Sequence, residues 1–356
     1  MRIKQVFMPL LALLIVLLPM QTAIAYELGD WDIHGTFSQG WIHSEDNNFI
    51  KDSKNGTFDF REFGVNASTH IGEHFSLGGQ LVGRKYGVIG DDEIYVDWLS
   101  ATYSFSDMFG VRAGVLKIPY GFYGDTRDID SLRTQILLPQ GVYAESYRGS
   151  INSMIGIAAF GTVYSDTWGS LDYSVQIGQS NINKSSGELS RLASDVEVVI
   201  DDVDEGDAGA IKLLWNTPIV GLRLGTTLTK SEFTLIGPSE SLVGIAGTFE
   251  SALDDQYSLT NSIEYSWDRI KISVESLYNN NESDFALDLA AFTPIRTKTE
   301  LTAYYVHVDY FATQSLTLGL GYSDFSVDME TLSSVAAPTS KTEQDGYYFS
   351  VRYDVT

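Results

Sequence analysis

Cysteine is absent from the 356 residues, proline occurs only 8 times, and basic residues are scarce. The missing cysteine excludes disulfide bonds and thiolate chemistry. The 23 Lys and Arg residues against 47 Asp and Glu give a formal net charge of −24, which excludes nucleic acid as a partner because its backbone is also anionic. After the N-terminal region, no run approaches the roughly 18 consecutive apolar residues of a membrane helix. The sequence therefore predicts no membrane-spanning helix in the body of the chain.

The N-terminus has the pattern of a secretory signal peptide. Arg2 and Lys4 form a positive start, residues 10–18 an apolar core, and residues 23–25 (Ala-Ile-Ala) a small-residue cleavage site. We predict a signal peptide that is removed by cleavage after Ala25, since the core is short for an uncleaved anchor, which is the alternative. Loss of the two basic residues takes the net charge of the mature chain to −26.

Aromatic residues and glycine are plentiful, with 20 Tyr, 18 Phe, 6 Trp and 32 Gly. An exported, acidic chain of this composition and length is typical of the β-barrels of the Gram-negative outer membrane. Secreted β-solenoids and soluble β-sandwiches have similar compositions, so composition alone leaves them open.

Apolar and polar residues alternate in many short stretches, with the period of two that marks β-strands. Short turns and long loops alternate between successive strands. Barrels that cross lipid have this arrangement, whereas a soluble sandwich has no reason for it. We predict an all-β fold, a single transmembrane antiparallel β-barrel domain over residues 26–356. The sequence predicts 14 strands: 31–44, 58–71, one from Phe75, 94–105, one from Phe109, 152–164, 171–177, 211–215, 222–228, 257–265, one from Ile270, 304–310, 316–325 and 346–355.

Two further features of the sequence bear on the strand pattern. Residues 231–256 are ambiguous, because they fit either one outer loop or a loop that hides an extra hairpin. Aromatic residues gather at strand ends, where the interfacial girdles of a membrane barrel belong. These are Trp31, Trp41, Phe75, Tyr103, Trp215, Tyr265 and Trp267.

The stretch that organises the chain is 109–149. It begins as a strand, with Val111 and Ala113 on one face and Arg112 on the other, and the alternation stops at residues 118–119 (Ile-Pro). Some thirty residues without a regular period follow, and loops of this length are uncommon unless they are functional. Our interpretation is a loop that folds into the barrel and narrows its pore. An ordinary surface loop is the alternative.

Three motifs in this stretch resemble bacterial trimeric porins, and more narrowly a group from marine gammaproteobacteria near the phosphate-selective and dicarboxylate-type porins. Lys117, Pro119 and Gly121 match a Lys-x-Pro-Tyr/Leu-Gly motif, residues 125–128 an Asp-Thr-Arg-Asp motif, and residues 138–140 a Leu-Pro-Gln motif. In these porins the inward-folded loop follows the fifth strand, as residues 118–148 do here.

The resemblance implies a barrel of 16 strands, more than the 14 counted directly. It implies a homotrimer in the outer membrane that forms a water-filled channel for passive diffusion of small polar solutes and ions. Lipid, lipopolysaccharide and the barrel-assembly machinery are the other implied partners, and no cofactor is expected. An assembly signal of alternating outward residues matches near the C-terminus, displaced by Asp354-Val355-Thr356; it comprises Tyr347, Phe349, Val351 and Tyr353.

Charges of both signs cluster in the predicted constriction, and they allow two interpretations. They could set up a transverse field that favours small polar solutes, or they could form a self-neutralised web of salt bridges that holds the loop to the wall. Four tyrosines could line a path for sugars or simply pack the loop: Tyr120, Tyr123, Tyr143 and Tyr147. The candidate constriction residues are Arg112, Lys117, Asp125, Arg127, Asp128, Asp130, Arg133, Glu145 and Arg148, and further lumen-facing candidates are Arg84, Lys271 and Glu275.

Other function classes have weaker support. A barrel hydrolase needs a histidine placed against a nucleophile or carboxylate; only His34 with His307 or Asp309 could meet inside the lumen, and no catalytic motif surrounds the 5 histidines. No metal site is predicted, because the acidic run 201–207 lacks the spacing of a calcium loop. A non-conducting adhesin or receptor barrel remains an alternative, although the sequence contains no plug domain.

Overall fold

The computed structural model describes residues 20–28, 30–45, 48–49, 53–90, 92–148, 152–182, 189, 198–240, 244–288, 292–333 and 339–355. Most of the predicted signal peptide, residues 1–19, lies outside these ranges.

The described residues form one antiparallel sheet in which every strand pairs with its neighbours in chain order. Residues near both ends of this order contact the same short stretch of chain, because Ser38 donates a hydrogen bond to Asp130 and Arg352 donates one to the carbonyl oxygen of Arg133. The sheet is therefore curled into a barrel. Its strands are β1 (Met20–Leu28), β2 (Trp31–Gln39), β3 (Phe60–Ile71), β4 (Phe75–Tyr86), β5 (Tyr95–Ser106), β6 (Phe109–Lys117), β7 (Ser153–Ser165), β8 (Gly169–Ser180), β9 (Asp202–Asn216), β10 (Leu222–Pro238), β11 (Thr248–Trp267), β12 (Ile270–Leu287), β13 (Ile295–Phe311), β14 (Leu316–Thr331) and β15 (Ser340–Tyr353).

Strands β2 to β15 correspond one to one to the 14 predicted strands. The fifteenth, β1, pairs with β2 from Met20 opposite Gln39 to Leu28 opposite Trp31. The predicted cleavage site after Ala25 falls inside β1, and processing there stays a prediction. The described part of the chain thus holds one strand fewer than the 16 implied by the resemblance.

The ambiguous stretch 231–256 contains no further strand among its described residues. It belongs instead to the long ends of β10 and β11, which pair as far as Pro238 opposite Thr248. Register shifts between Ser231 and Phe233 and between Asp254 and Tyr257 interrupt the alternation. A β-bulge moves the following side chains to the other face of the sheet, and this hid the strand continuation from a period-two reading.

The two faces of the sheet have opposite character. Large apolar side chains such as Leu99 and Ile157 are exposed on the outer face, whereas carboxylates and polar groups such as Glu62, Glu275 and Asp309 are buried on the inner one. A continuous exposed apolar surface of this size suits lipid rather than water.

A line of outward tyrosines crosses the last five strands, one from each strand. The last three rings in it make contact, with centroids 6.1 Å apart for Tyr304 and Tyr322 and 4.9 Å apart for Tyr322 and Tyr347. On the short-turn side of the line the outward residues are mostly apolar, Asn261 and Ser276 being exceptions, and on the long-loop side most are polar or charged. A girdle of this kind is expected where a lipid-spanning strand leaves the hydrocarbon. The line consists of Tyr257, Tyr278, Tyr304, Tyr322 and Tyr347.

Among the described residues, no helix is long and apolar enough to cross a membrane.

Candidate functional site

Residues 118–148, called here the interior segment, lie inside the curled sheet and contact strands on both sides of it. The segment holds three single-turn 3-10 helices, Gly124–Thr126, Asp130–Leu132 and Glu145–Tyr147. Its entry depends on Gly121, which has a φ of 54°. A Cβ there would collide with the Tyr143 hydroxyl and lie 2.6 Å from Glu275 Oε1, so this position requires glycine.

One side of the interior segment packs against β12 and β13 through apolar contacts. Tyr143 is fully buried, and its ring lies edge-on to that of Tyr120 with centroids 5.7 Å apart. Burial, followed by the charge of Glu275, raises the pKa of Tyr143 well above its usual value, so its hydroxyl stays protonated and acts as a donor. The buried cluster consists of Tyr120, Tyr123, Leu138, Val142, Tyr143, Leu277, Ala303 and Tyr305.

Glu275 on β12 is the polar centre of this contact. Its carboxylate accepts hydrogen bonds from the Tyr143 hydroxyl at 2.6 Å and the Tyr305 hydroxyl at 2.5 Å. The Ser262 hydroxyl donates to it at 2.5 Å and the backbone N–H of Phe122 at 2.8 Å. Four donors satisfy a carboxylate that is wholly buried, which offsets the cost of its desolvation. Glu275, predicted to face the lumen, therefore fastens the segment to the wall.

The opposite side of the segment is held by buried ion pairs. Arg148 donates from both terminal nitrogens to Glu62 on β3, at 2.9 and 3.1 Å. Glu145 pairs with Arg127 at 2.8 Å and with Arg84 of β4 at 3.4 Å. Burial by itself raises the pKa of the Glu145 carboxyl, but the surrounding guanidinium groups outweigh it and lower the pKa to about 2.

A second ionic group lies at the start of the segment. Lys117 Nζ is 2.8 Å from Asp97 of β5 and 2.8 Å from Asp128, and Gln80 of β4 also donates to Asp128. Burial acts to raise the pKa of Asp128, whereas Lys117 and Arg148 lower it, and the net shift is downward. Asp128 is therefore ionised at neutral pH and pairs with the Lys117 ammonium.

Arg133 and Asp130 form a third contact, towards β2 and β15. Arg133 pairs with Asp130 and donates to the carbonyl oxygen of Arg127 at 2.6 Å. The Asp130 carboxylate also accepts from the Ser38 hydroxyl at 2.5 Å. Burial raises the pKa of Asp130 in spite of Arg133. This contact links the middle of the segment to both ends of the strand order.

Seven of the nine candidate constriction residues therefore lie in buried pairs, with side-chain exposures of 2–14%. This geometry favours the salt-bridge web over the transverse field for those seven. They are Lys117, Arg127, Asp128, Asp130, Arg133, Glu145 and Arg148.

The other two candidates, Arg112 and Asp125, are exposed or half-exposed. Arg112 stacks its guanidinium over Phe160, 4.9 Å from the ring centroid, and donates to the Thr102 hydroxyl at 3.0 Å. Asp125 lies 2.6 Å from Lys212 of β9, with side-chain exposures of 42% and 19%. Lys212 was missed in the sequence, although alternation along β9 would have placed it inward.

The remaining lumen candidates also face the interior segment. Arg84 belongs to the Glu145 pairs described above, and Lys271 lies 3.1 Å from Asp309. His307 Nε2 is 2.9 Å from Asp309 Oδ1, and the other ring nitrogen has no hydrogen-bond partner among the described residues. No described hydrogen bond joins His34 to this pair. Both side chains of this His–Asp pair are buried.

The structure gives little information on two sets of predicted residues, the C-terminal ladder and Tyr147. The ladder residues Tyr347, Phe349, Val351 and Tyr353 are exposed on the outer face of β15, and their role in assembly stays a prediction. The side chain of Tyr147 lies outside the described residues. No group of three or more metal-ligating side chains occurs in the part of the chain that the structure describes.

Comparison with known proteins gives structural similarity only. No protein-family model and no curated protein matches the chain. Outer-membrane OmpT of Vibrio cholerae superposes with a TM-score of 0.49 and 12% identity, over 94% of this chain and 85% of that one. The anion-selective porin of Comamonas acidovorans gives 0.40 and 10%, over 94% and 99%. OmpF of Salmonella typhi gives 0.39 and 11%, over 85% and 92%. At these values the similarity transfers no activity to this chain.

Proposed function

We propose that this chain is an outer-membrane porin, a barrel around a water-filled channel through which small polar solutes and ions diffuse passively. The apolar outer face and the tyrosine line support insertion in a membrane. The polar inner face supports an aqueous interior.

The interior segment is the observation that carries the proposal. It is 31 residues long and is fastened to β3–β5 by ion pairs and to β12–β13 by apolar packing, so it reduces the bore from within. Charged groups that remain exposed, Arg112 and Asp125 among them, lie towards β6–β9. A path for water on that side is consistent with a narrowed channel rather than a plugged one.

Single-channel recording in planar bilayers tests this directly. We expect discrete conductance steps, and a salt gradient gives the bore and the charge preference together. Because the chain has no cysteine, Asp125→Cys supplies a unique label site, and a bulky thiol reagent there should reduce the conductance. Lys54→Cys, at an exposed turn on the long-loop side, is the matched control and should leave the conductance unchanged.

Two results would count against the proposal. A folded barrel that passes no current would favour the non-conducting adhesin or receptor. Unchanged current after confirmed labelling of residue 125 would remove the interior segment from the solute path.

Assembly is part of the proposal. We propose a homotrimer that contacts lipid and lipopolysaccharide and is inserted by the barrel-assembly machinery, as the resemblance implies. Light scattering of unheated protein in mild detergent should give the mass of three copies. A monomer would refute the trimer and leave the barrel intact.

A further inference from the structure

The ion pairs that hold the interior segment to the wall differ in exposure. Those towards β3–β5 are buried; in the pair of Arg148 with Glu62, for example, the two side chains are 2% and 6% exposed. The pair of Asp125 with Lys212 is far more open. Water and salt screen an exposed pair, so it opens and re-forms easily. The contact at Asp125 is therefore the place where the segment separates from the wall most readily.

A second cation lies near this contact. Arg112 forms no ion pair with any carboxylate in the described ranges, and only its Nε is used, by Thr102. Its stacking on Phe160 orients the guanidinium and leaves the two terminal nitrogens free. A guanidinium with both terminal nitrogens free suits the two oxygens of a carboxylate. Asp125 lies within electrostatic range of Arg112 as well.

The wall between these cations is made of small or neutral residues. Arg112 on β6 is opposite Ala158 of β7, and Lys212 on β9 is opposite Ser174 of β8. The two backbones are three strand spacings apart, about 14 Å, and are offset by two residues along the strands, about 7 Å. The long side chains narrow this distance, and Arg112 leans over Phe160, which lies in the same row as Ser174 and Lys212. Gln176 of β8 lies between them with its Oε1 unpartnered among the described residues. A small anion at this position meets two cations beside uncharged wall residues.

We propose that Lys212 and Arg112 form a binding site for small carboxylates, that the Asp125 side chain occupies this site when it holds no solute, and that a passing carboxylate displaces Asp125. This inference rests on the proposed function and names a solute class for it. Asp125 then acts as an internal competitor that the solute must replace, and the exposed ion pair is the moving part of the channel.

The test is a double-mutant cycle on conductance. Single-channel current of the full chain is recorded in rising sodium acetate, and the acetate concentration at half-maximal conductance is compared between variants. If Asp125 fills the site for most of the time, Asp125→Asn should lower this concentration by about three- to tenfold, since apparent affinity scales with the fraction of free sites. Lys212→Met should raise it, and Asp125→Asn should have no further effect in the Lys212→Met background.

Asp166→Asn is the charge-matched control, because it removes an exposed carboxylate from the short turn between β7 and β8 and should leave the acetate dependence unchanged. A shift for Asp125→Asn that persists in the Lys212→Met background, or no shift at all, would overturn the displacement mechanism while conduction itself stands. A wild-type chain without conductance would overturn the proposed function, and this inference with it.

Discussion

The barrel has two unlike halves. Strands β2–β8 have 9–13 residues, and strands β9–β15 have 14–20. At about 3.3 Å per residue and a tilt of about 40°, 12 residues rise roughly 30 Å and 18 residues roughly 45 Å. The first half matches the thickness of a bilayer, whereas the second stands well above it.

The halves also hold the interior segment differently. The short-strand half uses buried charges, centred on Arg148, Glu62 and Glu145. The long-strand half uses tyrosines and aliphatic side chains around Glu275. An ion pair requires a defined geometry and depends on pH, whereas apolar packing is non-directional and independent of pH. The two halves should therefore respond differently to substitution and to acid.

The largest effect is expected from Arg148→Met. This substitution leaves the Glu62 carboxylate buried without the guanidinium of Arg148, which should lower the free energy of unfolding by about 3–5 kcal/mol. Arg61→Met is the matched control, because Arg61 pairs with Asp59 and Asp92 in half-exposed positions; it should cost about 0–1 kcal/mol. Urea unfolding in detergent measures both. Equal losses would mean that burial of the Arg148 pairs adds nothing.

Acid should loosen the short-strand half first. The folded pKa of Glu145 is about 2, lowered from 4.5, so its contribution to stability is complete above pH 4.5 and is lost as the pH falls towards 2. The loss amounts to roughly 3 kcal/mol. Glu145→Gln should remove this pH dependence, and Glu300→Gln, on the exposed part of β13, should leave it in place. Identical pH profiles for wild type and Glu145→Gln would mean that other titratable groups cause the acid sensitivity.

The height of the long-strand half can be measured by placing arginine along β14. Leu320 is exposed on the lipid-facing part of the strand, and Asp328 lies beyond the tyrosine line on the long-loop side. Leu320→Arg should destabilise the barrel by about 2–4 kcal/mol in lipid and Asp328→Arg by about 0–1 kcal/mol. Refolding into vesicles gives both values. A large cost at residue 328 would place the membrane boundary higher than the tyrosines.

The smallest effect is expected from Tyr143→Phe. It removes one of four donors to Glu275 and an acceptor for the N–H of Tyr123 while keeping the ring in place. The expected loss of unfolding free energy is about 1–3 kcal/mol. Tyr278→Phe, on the outer face of β12, is the control and should change stability little. Unchanged stability for Tyr143→Phe would mean that apolar packing alone holds the interior segment to the long-strand half.

Much of this comparison could be predicted from the sequence. Alternation located all of β2–β15, because a barrel strand faces lipid on one side and polar groups on the other along its whole length. The extra height of β10 and β11 was hidden by the bulges and by charged outward residues that resemble loop sequence. The interior segment was recognised by its lack of a period, and a salt-bridge web was one of the two interpretations of its charges. The partners on the wall could not be assigned, since Arg148 and Glu62 are 86 residues apart and only the curled sheet brings them together.

The contacts of the interior segment have a consequence for the order of folding. Phe122 bonds to Glu275 over 153 positions of sequence and Arg133 to Arg352 over 219. Forming contacts between such distant parts of the chain closes long loops, which costs conformational entropy and slows folding. The segment cannot complete its bonds until the last strand has arrived beside the first ones. Locking of the segment is therefore a late and slow step, and until then the polar interior stays open to water.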